Sequence, residues 1–279
     1  MSRRFEGKVG VVTGAGRRGG LGEAIVRKLA AEGCSVVLSD IGKSVDSATP
    51  ESMIGDSSQM RALTAEIARS TGSRVESFAC DVRDYEQMRS LAGFAEGTFG
   101  QLDIWVNNAG IGYIMKPLAD LEPDDWRVVI DVNLTGCFNG IKAASERMVK
   151  RGRGGRIVNI ASQAAKSGFP FAAAYCASKH GLVGLVRSVA IELGRDGITV
   201  NNVCPNHVTT GLGAWQNEYF AERTGLDVEQ YLEQMKGRIP MGRCGLPEDT
   251  ANAVAFLCSD EAAYITAESM NVSGGEEPH

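Results

Sequence analysis

The sequence predicts an α/β chain folded as one doubly wound parallel sheet with helices on both faces. Three observations predict it. Short β-branched runs alternate with helical stretches along nearly all 279 residues. The first run ends in a glycine-rich turn that opens a helix. Gly14, Asp40, Asp81, Asn108, Ser162 and Pro205 all fall at predicted strand ends. Ligands bind at that edge of such sheets.

The first strand is the run 8–13, Lys-Val-Gly-Val-Val-Thr. Gly14-Ala15-Gly16-Arg17-Arg18-Gly19-Gly20-Leu21-Gly22 follows. Residues 23–32 have helical spacing and stop at Gly33. A second strand, 35–40, ends in Asp40. Strand, glycine turn, helix, strand and acid is the order of a dinucleotide-binding unit. Its glycines let the backbone approach a pyrophosphate, which the helix N-terminus attracts.

Residues 41–58 read as a long polar loop with Gly42, Pro50 and Gly55. A helix at 59–71 and a strand at 74–80 come next, then Asp81-Val82. A helix at 84–99 takes Asp84 as its cap. The strand 102–106 runs into Asn107-Asn108-Ala109-Gly110. One long helix, 124–151, carries Asn133. A strand at 155–160 leads to Ser162, and a helix at 172–193 carries Tyr175. The strand 198–204 precedes a polar, aromatic stretch, 211–238, that is helical but breaks the alternation. A helix at 247–259 and a strand at 269–272 finish the chain. With no linker or repeat to divide it, residues 1–279 read as a single domain, and 212–238 as a helical insert over the substrate.

Composition narrows the partners. A net charge of −5 argues against nucleic acid, whose phosphates need a basic surface. No apolar run approaches the roughly 20 residues of a membrane span, and the start has no hydrophobic signal region. Seven singly spaced cysteines suit reduced, buried thiols in a cytoplasmic protein, with neither disulfide nor metal.

Tyr175 and Lys179 stand four apart on one helix face. An ammonium beside a phenol favours the phenolate, whose ordinary pKa is about 10. The pair is a proton-transfer device in outline, although the same spacing is common on inert helix surfaces.

These pieces together resemble the short-chain dehydrogenase/reductase family over essentially the whole chain. They are Thr13-Gly14…Gly20-Leu21-Gly22, Asp81-Val82, Asn107-Asn108-Ala109-Gly110, Asn133, Ser162 and Tyr175-x-x-x-Lys179, with a looser match at 205–210. The resemblance implies a Rossmann fold, an NAD(P)-dependent oxidoreductase and a homotetramer. It implies that Tyr175 is the acid/base, that Lys179 tunes it and bonds the nicotinamide ribose, and that Ser162 bonds the substrate oxygen. Asn133 would hold a water that joins Lys179 to solvent. It further implies cofactor contacts at Gly14, Gly16, Gly20, Leu21, Gly22, Asp81, Val82, Asn108, Val208 and Thr210.

Asp40 bears on which cofactor binds. A carboxylate there accepts bonds from ribose hydroxyls and repels a 2′-phosphate, which favours NAD. Arg17 and Arg18 pull toward NADP, and the turn between Gly14 and Gly20 is two residues longer than the family pattern. Pro205-Asn206 replaces the usual Pro-Gly, and asparagine tolerates left-handed backbone.

Substrate contacts are expected from Ser162, Gln163, Phe169, His207 and Trp215, with Phe171, Tyr219 and Phe220 as further candidates. This mixture suits a secondary alcohol or polyol, and the 212–238 insert resembles the polyol, sorbitol and butanediol dehydrogenase branch. An NADPH-dependent 3-oxoacyl thioester reductase is the alternative enzyme. A nucleotide-sensing scaffold without catalysis is the alternative of another class.

Overall fold

The computed structural model describes residues 3–43 and 54–278. Among them, seven strands form one parallel sheet in the order β3-β2-β1-β4-β5-β6-β7. The strands are β1 Val9–Val12, β2 Ser35–Asp40, β3 Val75–Ala79, β4 Ile104–Asn107, β5 Gly155–Ile160, β6 Ile198–Pro205 and β7 Ser269–Val272. β1 pairs with β2 on one side and β4 on the other, so Val11 lies beside both Val37 and Trp105. The chain order reverses across β1 and β4, which opens a crevice beyond their carboxyl ends.

Helices cover both faces. α1 (Leu21–Ala31), α2 (Ser57–Thr71) and α9 (Pro247–Cys258) pack on one. α3 (Tyr85–Phe99), α5 (Gly136–Arg151) and α6 (Ala173–Leu193) pack on the other. β4 shows the period of two that feeds both layers. Ile104 and Val106 join the first core and Trp105 the second. Because both faces are covered, the central strands β1 and β4 are buried along their whole length.

Three segments differ from the sequence expectation. The helix expected over 124–151 is three pieces: α4 (Pro123–Ile130), a π-helical turn (Asp131–Thr135) and α5. A π-turn inserts one residue, which the apolar periodicity absorbs without an obvious break. The 211–238 stretch is two helices, α7 (Gly211–Thr224) and α8 (Val228–Arg238). Gly225 ends α7 at φ 71°, and Asp227 with Gln230 forms a capping box that starts α8.

Finally, the 41–58 loop is shorter at its far end than expected. Asp56 caps α2 by accepting from Ser58 N at 2.7 Å and Gln59 N at 2.9 Å. Gly42 and Asp56 form a parallel bridge. The middle of this loop, 44–53, lies outside the described residues.

Candidate active site

The glycine turn is shaped by contact with β4. Gly14 has φ 63°, and a Cβ there would lie 2.5 Å from Ala109 Cα. A Cβ on Gly22 would lie 2.5 Å from the Gly14 carbonyl oxygen. Only glycine fits either place. Gly20 caps α1 without a side-chain hydrogen bond, so first-turn amides are left for a ligand. Asn108 stitches the switch point together: its Nδ2 donates to Thr13 O at 2.9 Å and Gly14 O at 2.8 Å.

The resulting cleft is lined by Gly14, Gly20, Leu21, Gly22, Asp40, Asp81, Val82, Asn108 and Thr210. All nine were expected to hold the cofactor. Glycines whose Cβ atoms would fill the cradle, beside an open helix N-terminus and an acid on the second strand, fit a dinucleotide. Val208 lines the adjoining cavity, which Thr210 shares. Gly16 sits behind the wall and does not line it. Its N–H donates to Asp40 Oδ2 at 2.9 Å, and a Cβ on it would lie 2.7 Å from Asp40 Cβ.

Burial pushes the Asp40 carboxyl up, against amides of Gly16, Ile41 and Gly55 and the Arg17 cation, which stabilise its charge. The two arginines of the turn have different surroundings. Arg18 bonds Glu66 of α2 at 2.6 Å, away from the cleft. Arg17 lines the cleft, and a Cβ on Gly211 would lie 3.5 Å from its Nη1. Its guanidinium thus reaches across the mouth to the start of α7.

A cavity of about 540 Å³ adjoins the cleft. Ser162, Gln163, Phe169, Tyr175, Lys179, His207 and Val208 all line it. Ser162 begins a short turn after β5, where its Oγ accepts from Ala164 N at 3.1 Å. Tyr175 and Lys179 come from the first turns of α6. Lys179 is 4% exposed, and its ammonium donates to Ile160 O at 2.8 Å and stands 5.6 Å from the Tyr175 ring centre. Burial lowers its pKa. Burial likewise raises that of Tyr175, and a hydrogen bond with Ser162 works the other way.

Asn133 is fully buried in the π-turn. Its Oδ1 accepts from Ile111 N at 2.8 Å, and its Nδ2 donates to Ile111 O at 2.9 Å and Ser178 Oγ at 3.2 Å. A Cβ on Gly110 would touch both Asn133 Oδ1 (3.3 Å) and Lys179 Nζ (3.7 Å), which places these groups around one glycine. The four residues of the expected set therefore converge where cleft and cavity meet.

The substrate candidates divide. Phe169 packs 6.4 Å from the Tyr175 ring, with Phe220 next at 6.1 Å and Tyr231 beyond it at 6.3 Å. His207 lies 5.9 Å from Tyr231, and its Nε2 hydrogen-bonds Asn217 Oδ1 at 2.7 Å. Burial depresses its pKa, against a hydrogen bond with Asn217 that raises it. Trp215 does not line the cavity. It stacks on Tyr219 at 5.2 Å and meets Tyr113 edge-on. Tyr219 in turn donates to Met115 O at 2.9 Å, which ties α7 to the chain after β4.

The 212–238 insert expected over the substrate also supplies Gln216, Tyr231, Gln234 and Arg238 to the cavity, the last three not singled out from the sequence, and Glu276 joins them from outside every expected segment. The spacing of 231, 234, 235 and 238 was a signal, because it defines one face of α8. Glu276 had none, since the tail reaches the site only through the fold.

The cysteines are all free, six buried and Cys176 half-buried. Among the described residues no helix is long and apolar enough to cross a membrane.

The family described as Enoyl-(Acyl carrier protein) reductase matches residues 14–277. A putative short-chain type dehydrogenase/reductase of Mycolicibacterium smegmatis is 36% identical, covering 99% of each chain. D-threitol dehydrogenase of the same organism is 35% identical over 98% of this chain and 94% of its own. The crystal structure of carveol dehydrogenase from Mycobacterium avium in complex with NAD superposes with a TM-score of 0.90 at 31% identity, covering 99% of both chains.

Proposed function

The chain belongs to the short-chain dehydrogenase/reductase family, and from that premise we propose that it transfers hydride between NAD and a secondary alcohol or ketone, with Tyr175 as the general acid/base. The observation that carries this reading is the meeting of Tyr175, Ser162 and buried Lys179 at the junction of cleft and cavity.

When bound, the nicotinamide supplies the hydride acceptor and a positive charge. The chain supplies the rest. Ser162 orients the substrate oxygen, and Tyr175 takes the hydroxyl proton. The Lys179 ammonium, held off water near the ring, favours the phenolate more than it would in solvent. Asn133 fixes Ile111 and so the wall against Lys179. Tyr175 starts from a raised pKa, so catalysis near neutrality needs these cationic neighbours.

Asp40 at the end of β2 supports NAD, because its carboxylate in the cleft would repel a 2′-phosphate. Arg18 is held away by Glu66, and Arg17, which reaches toward Gly211, would suit a phosphate of either cofactor. The aromatic arc of Phe169, Phe220 and Tyr231 suits a substrate with an apolar, ring-sized body better than an open-chain polyol. Each polyol hydroxyl placed against such a wall would cost about 1–3 kcal/mol without a partner. Carveol dehydrogenase supports the ring reading and D-threitol dehydrogenase the polyol one.

The chain is read as one domain, with α7 and α8 as the lid. Exposed Phe138 of α5 and Ile191 of α6 supply the apolar face of a homotetramer. Free thiols throughout suit a cytoplasmic setting. Absorbance at 340 nm with NAD and a panel of cyclic and open-chain secondary alcohols tests the reading. NADH formation with a cyclic alcohol is expected, and NADH binding without turnover of any alcohol would favour a nucleotide sensor.

A further inference from the structure

We propose that Arg238 recognises a carboxylate on the substrate, which makes the substrate a hydroxy or oxo acid whose reacting carbon and acid group are separated by an apolar body. This rests on the alcohol dehydrogenase reading above.

The face of α8 that meets the cavity is Tyr231, Gln234, Met235 and Arg238, at i, i+3, i+4 and i+7. It runs from an apolar wall to a cation. Phe169 and Phe220 continue the apolar wall back to Tyr175. A molecule spanning the cavity therefore meets a proton acceptor at one end, rings in the middle and a guanidinium at the other.

Arg238 differs from the arginines of the cofactor cleft. Arg83 pairs with Asp81 at 2.7 Å, and Arg17 is close enough to Asp40 to stabilise its charge. Among the described residues the Arg238 side chain, exposed at the rim of the cavity, forms no ion pair or hydrogen bond. The one acid that lines the same cavity, Glu276, accepts from Asn206 Nδ2 at 2.9 Å instead. The Arg238 charge is nonetheless felt inside, where it lowers the pKa of both His207 and Tyr231. A guanidinium offers paired N–H donors that match a carboxylate. A neutral hydroxyl or amide uses that fork less well.

The test is a matched pair of ligands. The NADH-loaded protein is titrated calorimetrically with cyclohexanecarboxylate and with cyclohexanecarboxamide. The acid is expected to bind at least tenfold tighter. Arg238→Met brings the ratio near one, Arg238→Lys keeps part of it, and Glu276→Gln raises it severalfold by removing an opposing charge. NADH fluorescence reports that each variant retains its cofactor cleft. In parallel, trans-4-hydroxycyclohexanecarboxylate and its amide are compared as substrates with NAD.

Equal binding of acid and amide by the wild type, or a ratio unmoved in Arg238→Met, overturns the proposal. If alcohols are oxidised while that ratio stays near one, Arg238 recognition fails and the dehydrogenase reading stands. If the acid binds tightly through Arg238 and no alcohol is oxidised, the recognition stands and the dehydrogenase reading fails.

Discussion

Asn133 closes both main-chain hydrogen bonds of Ile111, accepting from its N–H at 2.8 Å and donating to its carbonyl at 2.9 Å. One side chain from a π-turn thus holds the segment that follows β4 in place. Removing it leaves two buried main-chain groups without partners, at about 1–3 kcal/mol each. Asn133→Ala is expected to lower unfolding free energy by roughly 2–5 kcal/mol and to weaken turnover. Asn133→Asp is expected to fail similarly, because a carboxylate cannot donate to Ile111 O. Denaturant titration of both variants checks this, and a loss below about 1 kcal/mol would mean the segment is held by other contacts.

The Ser162 hydroxyl hydrogen-bonds Tyr175 and lowers its pKa against burial. Its hydrogen bond stabilises the phenolate, so removing the hydroxyl should raise that pKa. Alcohol oxidation needs the deprotonated base. In Ser162→Ala the acidic limb of the kcat/KM profile should therefore move to higher pH, along with a loss of rate. An unmoved or downward-shifted limb would separate Ser162 from the base.

Asp40 and Gly16 test cofactor choice together. Asp40→Asn removes the charge and keeps the shape, so the ratio of NADP to NAD efficiency should rise at least tenfold. In Gly16→Ala the new Cβ would fall 2.7 Å from Asp40 Cβ and 2.8 Å from Met60 Cγ. That variant should lose NAD affinity without gaining NADP. A wild type that prefers NADP would refute the assignment of Asp40 and redirect attention to Arg17.

Phe138 is 47% exposed and Ile191 is 80% exposed. Light scattering after gel filtration should give a tetramer for the wild type and smaller species for Phe138→Glu with Ile191→Glu. A monomeric wild type at micromolar concentration would contradict the proposed assembly.

The sheet was legible because its central strands are buried throughout and read as apolar runs, as Val9–Val12 does. Asn133, Ser162, Tyr175 and Lys179 were legible as a set because their order matches a family. What stayed hidden has identifiable causes. The π-turn at Asp131–Thr135 adds one residue without disturbing the pattern. Trp215 was given a substrate role by its type, but stacking on Tyr219 draws it away from the cavity. Arg238 was not singled out within 211–238, which was read as helical without its internal break. The restart at Asp227 sets the face that brings it to the rim of the cavity, although Asp227 and Gln230 carried that capping signal in plain view. Glu276 depends on how the tail packs after β7, which no local pattern encodes.

The central claim is that Tyr175 is the acid/base, and Tyr175→Phe tests it most directly. The phenyl ring keeps the packing against Phe169 and loses only the hydroxyl. With NAD and an alcohol that the wild type oxidises, turnover followed at 340 nm should fall at least a thousandfold while NADH binding stays within a fewfold of wild type. Turnover close to wild type with intact NADH binding would contradict the account.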